Sequence, residues 1–177
     1  MTGQVVVERA DGPGVAEELA ELCTDCVEGG ASVGFMLPVE KESMERFWRA
    51  VVDSAARGER ALLVARFGVD APISGTVQVV FATPENQPHR GEVTKMLVHR
   101  NARRRGLGEA LMRAAEAEAA ARGKTLLVLD TANPEAERLY TRLGWTVVGR
   151  IPDYALGPEG GLVDTVVYFK RIGAQDR

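Results

Sequence analysis

The sequence predicts a mixed α/β domain, an α+β arrangement around one mixed sheet, with elements in the order βααβββαβαββ. Three observations predict it. Short β-branched runs alternate with amphipathic helical patterns, two adjacent strands are joined by a turn too short for a crossover, and a wholly apolar run near residue 127 follows an Ala-rich helix.

Residues 4–8 (QVVVE) read as the first strand. Pro13 opens a helix to about residue 28, which stops at Gly29 and Gly30. A second helix over about 40–58 carries Met44, Phe47, Trp48, Val51, Val52 and Ala55 at 3.6 spacing and ends at Gly58. Both are amphipathic, so each covers a sheet. Residues 61–67 and 73–82 are strands joined through Gly68 to Pro72, an antiparallel hairpin, and 91–98 (GEVTKMLV) is the next strand. R-R-R-G-L-G at 103–108 runs into an Ala-rich helix that ends at Gly123. The run at 125–130 (TLLVLD) is apolar throughout, as in a strand buried on both faces. Asn133 and Pro134 then have the residue types of an N-cap and first helical position. Strands at about 145–151 and 163–170 close the chain around a Pro- and Gly-rich turn. Neither an internal repeat nor a second set of elements is evident, so residues 1–177 form one domain.

Of 177 residues, 45% are hydrophobic and 27% charged, enough for a core without staples. The balance of 22 Lys and Arg against 25 Asp and Glu, formally -3, argues against a protein that neutralises many nucleic-acid phosphates. No apolar stretch spans a bilayer and no basic flank precedes an apolar run, so a soluble, cytoplasmic protein is expected, without a membrane partner. Cys23 and Cys26 form a C-x-x-C inside a helical pattern, not just after a strand, and their spacing puts them on its apolar face. They read as buried thiols. His89 and His99 are ten residues apart, unlike the spacing of a zinc finger, and read as surface residues; no metal is expected.

A Gly-rich turn between a strand and a helix N-terminus is an anion cradle, because unpaired backbone N–H groups and the helix dipole aim at one spot. Gly106 and Gly108 permit close approach, and Arg100, Arg103, Arg104 and Arg105 supply local charge; the plainer reading is a turn beside a solvated basic face. A Walker A loop is excluded, since no Lys-Ser or Lys-Thr follows the glycines. A dinucleotide fingerprint would need a third Gly where Leu111 stands, although Asp130 lies near the distance of a ribose ligand.

These residues resemble the GNAT superfamily of acetyl-CoA-dependent N-acetyltransferases. Its acyl-CoA signature, Arg or Gln followed at fixed spacing by Gly and then Gly or Ala, is matched by Arg103, Gly106 and Gly108. Its second segment, N-x-x-A-x-x-x-Y-x-x-x-G-W here, is matched by Asn133, Ala136, Tyr140, Gly144 and Trp145. Outside these, G-G-A-S-V-G-F-M at 29–36, the I-P-D-Y turn at 151–154 and V-Y-F-K at 167–170 are similar to the tabtoxin-resistance type. The resemblance implies the GNAT acyl-CoA N-acyltransferase fold, with acetyl-CoA as cofactor. It places a pyrophosphate on the backbone of Arg104, Arg105, Gly106, Leu107 and Gly108, beside Arg103. The pantetheine arm would pair with the backbone of Met96, Leu97 and Val98, with Asn133 against that arm and the Tyr140 phenol near the sulfur.

An amine attacking a thioester must first lose a proton, which for a pKa of about 10 at neutral pH costs about 4 kcal/mol. A carboxylate at the acceptor, direct or through a water, meets that need. Glu92 and Asp130 stand at strand ends flanking the expected site, where the tabtoxin-resistance type has equivalent carboxylates. Their plainer readings are a surface charge and a turn or capping acceptor. Tyr140 is the candidate donor to the departing thiolate, against a plainer role in helix packing. For the acceptor, the small flexible connection at 29–38 offers Ser32, Phe35 and Met36, with Glu92, Asp130 and Tyr154 as further contacts. The expected activity is N-acetylation of a small-molecule primary amine, including a toxin or antibiotic such as a β-lactam amino acid, by a monomer or homodimer. A protein or peptide N-acetyltransferase and a non-catalytic acyl-CoA sensor are the alternatives.

Overall fold

A computed structural model describes residues 3–81 and 84–173. The strands are β1 (Val5–Arg9), β2 (Arg60–Phe67), β3 (Gly75–Val80), β4 (Arg90–Val98), β5 (Leu126–Thr131), β6 (Thr146–Leu156) and β7 (Leu162–Arg171). The α-helices are α1 (Val15–Glu28), α2 (Lys41–Ala56), α3 (Leu107–Ala121) and α4 (Pro134–Arg142). The order along the chain is the one expected, with a short 3-10 turn at Arg100–Ala102 added.

The strands form one sheet in the order β1-β2-β3-β4-β5-β7-β6, antiparallel except for β4 beside β5. That parallel pair exists because α3 carries the chain back between them. Alternation along the central strands sends apolar side chains to both faces. Val77, Val79, Val93, Leu127 and Leu129 pack with Leu111, Met112, Tyr140 and Trp145 on the α3 and α4 side. Leu62, Val64 and Leu97 pack with Leu19, Leu22, Met44 and Trp48 under α1 and α2. Cys23 and Cys26 belong to the second core, as their helical spacing predicts, and burial pushes their thiols up to about 11 and about 12. His89 is exposed and His99 half-buried, its Nδ1 accepting from the Asn101 N–H.

Two strand boundaries depart from the sequence reading. The third strand runs only Gly75–Val80, and the expectation that it reaches residue 82 lies outside the described residues. I-P-D-Y is not in a turn but inside β6, which continues to Leu156. Pro152 has no N–H to give a ladder, and β6 is an edge strand that tolerates this. The ladder is interrupted between Ile151 and Ala155, where Asp153 takes φ 52° and its N–H donates to Asp164 Oδ1 of β7 at 3.1 Å.

One irregularity shapes the middle of the sheet. Gln78 pairs with Thr94 and Thr76 with Leu97, so β4 has one residue more than β3 across this step. This is a β-bulge, and Lys95 within it has φ 50°. On its other side β4 pairs with β5 only over Arg90–Glu92 and Leu126–Val128. Beyond that the two strands part, leaving a gap at the centre of the sheet.

Candidate active site

The gap opens into a cavity of about 970 Å³ bounded by β4, β5, the start of α3, α4, the 29–34 segment and the β6–β7 turn. Its end at the start of α3 is built by backbone. Arg104 has φ 57° and Gly106 φ 87°, which turn the chain sharply from the 3-10 turn into α3. No side chain caps α3, so its first-turn N–H groups are left facing the cavity lined by Gly106, Leu107 and Gly108. A Cβ on Gly106 would meet nothing within 4 Å, whereas one on Gly108 would stand 3.0 Å from Leu139 Cδ2. Gly106 is therefore demanded by its backbone angle and Gly108 by close packing on α4. The N–H groups, the helix dipole and the adjacent Arg103 and Arg104 fit a pyrophosphate.

The Arg run does not act as one patch. Arg103 and Arg104 line the cavity, and Arg103 Nε donates to the Val98 carbonyl at 3.4 Å. The Arg105 side chain turns away and stacks 3.7 Å from the centre of the Phe67 ring. Arg100 pairs with Asp25 of α1 through Nε at 2.8 Å. Burial raises the Asp25 carboxyl, but hydrogen bonds from the Arg100 backbone and side chain outweigh it and hold the group below the usual carboxylate range.

Met96, Leu97 and Val98 line the cavity where β4 has left β5, so one edge of this strand is free for an extended ligand arm. Asn133 lies opposite, and its Oδ1 accepts from the Glu135 N–H at 2.8 Å, the expected cap of α4. Tyr140, on the inner face of that helix, is 4% exposed and has ring centroids of Trp145 and Tyr168 at 6.1 and 5.7 Å. Burial, with Asp130 and Tyr168 nearby, pushes its phenol well above the usual range, so it stays protonated. Trp145 Nε1 and Lys170 Nζ both donate to Glu116, at 2.9 and 2.7 Å, which ties the end of α4 to α3 and β7.

Asp130 lines the cavity at the end of β5, and its Oδ2 accepts from Thr165 Oγ1 of β7 at 2.7 Å. Glu92 is on the same face of the sheet, but it lies where β4 and β5 are still paired and is not part of the lining. Of the two carboxylates, Asp130 alone is in the lining. Ser32 lines the cavity, and its Oγ donates to the Leu156 carbonyl at 3.3 Å. Phe35 and Met36 do not form its walls. Phe35 is held edge-on against Phe47 at 5.2 Å, and Met36 is 45% exposed to solvent. Their places are taken by Val33 and Gly34. Tyr154 lines the outer rim and is 56% exposed. Sequence reasoning missed Lys95, Thr94 and Thr165, which also line it. The sole sequence signal for Lys95 was a cation inside an otherwise strand-like run. Among the described residues no group of three or more His, Cys, Asp or Glu is arranged to hold a metal.

Known proteins resemble the chain in sequence or in fold. The chain is 35% identical over 155 residues to an uncharacterized N-acetyltransferase in the hisH-hisA intergenic region of Azospirillum brasilense, covering 84% of this chain and 89% of that protein. A GNAT superfamily phosphinothricin acetyltransferase from Sinorhizobium meliloti, solved in complex with acetyl-CoA, superposes with a TM-score of 0.76 at 19% identity, covering 98% of this chain and 90% of that one. A ribosomal-protein-alanine N-acetyltransferase from Brucella melitensis has a TM-score of 0.76 at 21% identity, covering 94% and 99%. These two solved proteins share the fold and differ in the acceptors their names state. Residues 17–145, from α1 through the glycine cradle to the end of α4, match the model of the Acetyltransferase (GNAT) family, so the chain is a transferase that belongs to that family.

Proposed function

We propose that the protein transfers the acetyl group of acetyl-CoA to a primary amine of a small molecule. The observation that carries this reading is the roofed acceptor end of the cavity. The 29–38 segment is pinned over it by Ser32 Oγ donating to the Leu156 carbonyl and the Leu37 N–H donating to the Pro158 carbonyl at 2.9 Å. A protein chain would need an open groove at that place. A toxin or antibiotic with a free amine, such as a β-lactam amino acid, is within this class, and a cytoplasmic monomer or homodimer is the form in which we expect it to act.

Acetyl-CoA supplies the activated thioester when bound. Gly106, Leu107 and Gly108 hold its pyrophosphate through backbone N–H groups, with Arg103 and Arg104 beside them and the Arg105 side chain set apart. Met96, Leu97 and Val98 offer the free strand edge to the pantetheine arm across from Asn133, and a backbone N–H at the bulge polarises the reacting carbonyl. Asp130 accepts the proton that the ammonium must shed, held in orientation by Thr165. Glu92 would assist only through water. Tyr140 donates a proton to the departing thiolate; its phenol has the protonated form this requires.

The test is thiol release from acetyl-CoA against β-lactam amino acids, polyamines, aminoglycosides and peptide α-amines, with Tyr140→Phe alongside. We expect turnover on one small-molecule class and a fall of about 10²- to 10⁴-fold in the variant. Turnover confined to peptide α-amines would favour a protein acceptor. Acetyl-CoA binding with no turnover on any amine would favour a sensor.

A further inference from the structure

One charged side chain in the acceptor half has no task in the chemistry above. Lys95 is in the β4 bulge, half-buried and lining the cavity. Its Nζ stands 5.7 Å from the centre of the Phe47 ring, and a Cβ on Gly34 would come within 3.9 Å of it. The ammonium therefore sits beneath the 29–34 roof. Among the described residues no carboxylate pairs with it and no group hydrogen-bonds it.

A cation withdrawn from water is costly, and the Phe47 ring face offsets only part of that. Burial lowers the Lys95 pKa, the Cys23 thiol of α1 and Asp130 of β5 oppose that, and Arg60 of β2 adds to it. Arg60 is itself occupied, donating to Ser54 Oγ and Gln78 Oε1 at 3.0 and 2.8 Å. Across the strand gap, Asp130 accepts from Thr165 and lines the same space. The two strands that part thus carry a cation without an ion pair, Lys95, and a carboxylate, Asp130; Asp164 of β7, also in the lining, is taken up by the Asp153 N–H and by Arg150 at 3.8 Å. Lys95 and Asp130 together complement a zwitterion. A dianionic phosphate would ask for several cations or a nest of N–H groups, and a neighbouring carboxylate would oppose it.

We propose that the acceptor is a carboxylate-bearing amine, an amino acid or close analogue, whose carboxylate pairs with the Lys95 ammonium while its amine faces Asp130. The inference rests on the acetyl transfer to a small amine proposed above. It makes Lys95 a specificity-determining residue, without a part in proton transfer.

The experiment compares matched acceptors: L-alanine, β-alanine and L-methionine against their amides, with 2-aminoethylphosphonate as the phosphonate counterpart of β-alanine. The amide's amine is the easier to deprotonate, so chemistry alone favours the amide. We expect the wild-type protein to prefer the acids by about tenfold or more in kcat/KM. The ratio should collapse toward one in Lys95→Met, through KM, and recover in part in Lys95→Arg; Lys95→Gln serves where the Met variant fails to fold. An acid-to-amide ratio near one in the wild type, a ratio unchanged in the neutral variants, or a preference for the phosphonate overturns the proposal while leaving acetyl transfer intact. Where no amine turns over, calorimetric titration of the same pairs into CoA-saturated protein decides. Acid binding lost in Lys95→Met then upholds the carboxylate site and removes the proposed acetyl transfer to these amines, and no acid binding to the wild type overturns both.

Discussion

Replacing Gly106 by Ala separates the anion cradle from the backbone angle that builds it. Gly106 has φ 87° and nothing within 4 Å of an added Cβ. The steric cost is then the left-handed conformation alone, about 1–2 kcal/mol. Gly123, just past the other end of α3, has φ 74° and equally open space, so Gly123→Ala bears the same strain. At about 1.5 Å per residue the two sites lie on the order of 20 Å apart. For a chain of this size each kcal/mol moves Tm by about 2–4 °C, so both variants should melt roughly 2–8 °C below the wild type. The assay is thermal melting with and without acetyl-CoA. At a hundred times its Kd a ligand stabilises by about 2.7 kcal/mol, which raises Tm by roughly 5–11 °C. Gly123→Ala should keep that rise, and Gly106→Ala should lose most of it, because relaxing its strained angle shifts the turn that presents the uncapped N–H groups of α3 to the cavity. A full rise in Gly106→Ala would refute the cradle. Undepressed melting in both variants would refute the argument from left-handed glycine.

Two further outcomes follow from the placement of single groups. Asp130→Asn should lower kcat by about 10²- to 10⁴-fold with acetyl-CoA binding retained, and activity within a few-fold of wild type would move the proton acceptor to a Glu92 water relay. Burial raises the Cys23 and Cys26 thiols from 9.0 to about 11 and about 12. Their contribution to stability is full below pH 9 and is lost as the pH climbs through these values, because the unfolded chain releases those protons first. Native protein at pH 8 should resist iodoacetamide at both thiols until denaturant is added, and alkylation at the denatured rate would contradict their burial.

Much of this architecture was legible because it follows from contacts a few residues long. The start of α4 falls where Asn133 and Pro134 put it, and the helical spacing of Cys23 and Cys26 placed both thiols in the core. The glycine turn into α3 was likewise readable, since a left-handed residue at a helix start needs Gly106 whatever surrounds it. The bulge at Lys95 was not. G-E-V-T-K-M-L-V contains no Pro and no glycine beyond its start, and the extra residue is set by registry with β3, whose flanking partners Gln78 and Thr76 lie 16 and 21 residues before Thr94 and Leu97. The Arg run misled for a similar reason: Arg100 and Arg105 are claimed by Asp25 and Phe67, which only folding brings near.

By itself, then, the sequence determined the element order, the two apolar faces of the sheet, the glycine turn into α3 and the family pattern, all carried by periodicity and turn chemistry along the chain. The tertiary structure alone decided which of the two carboxylates lines the cavity, that Phe35 packs on Phe47 instead of lining it, and that Lys95 stands beneath the 29–34 segment against the Phe47 ring, with no ion pair among the described residues. The end of the cavity proposed for the acceptor is lined by β4, β5, β7 and the 29–34 segment. Its charge pattern depends on where strand registry ends and the strands separate, and neighbouring residues in the chain do not encode that point.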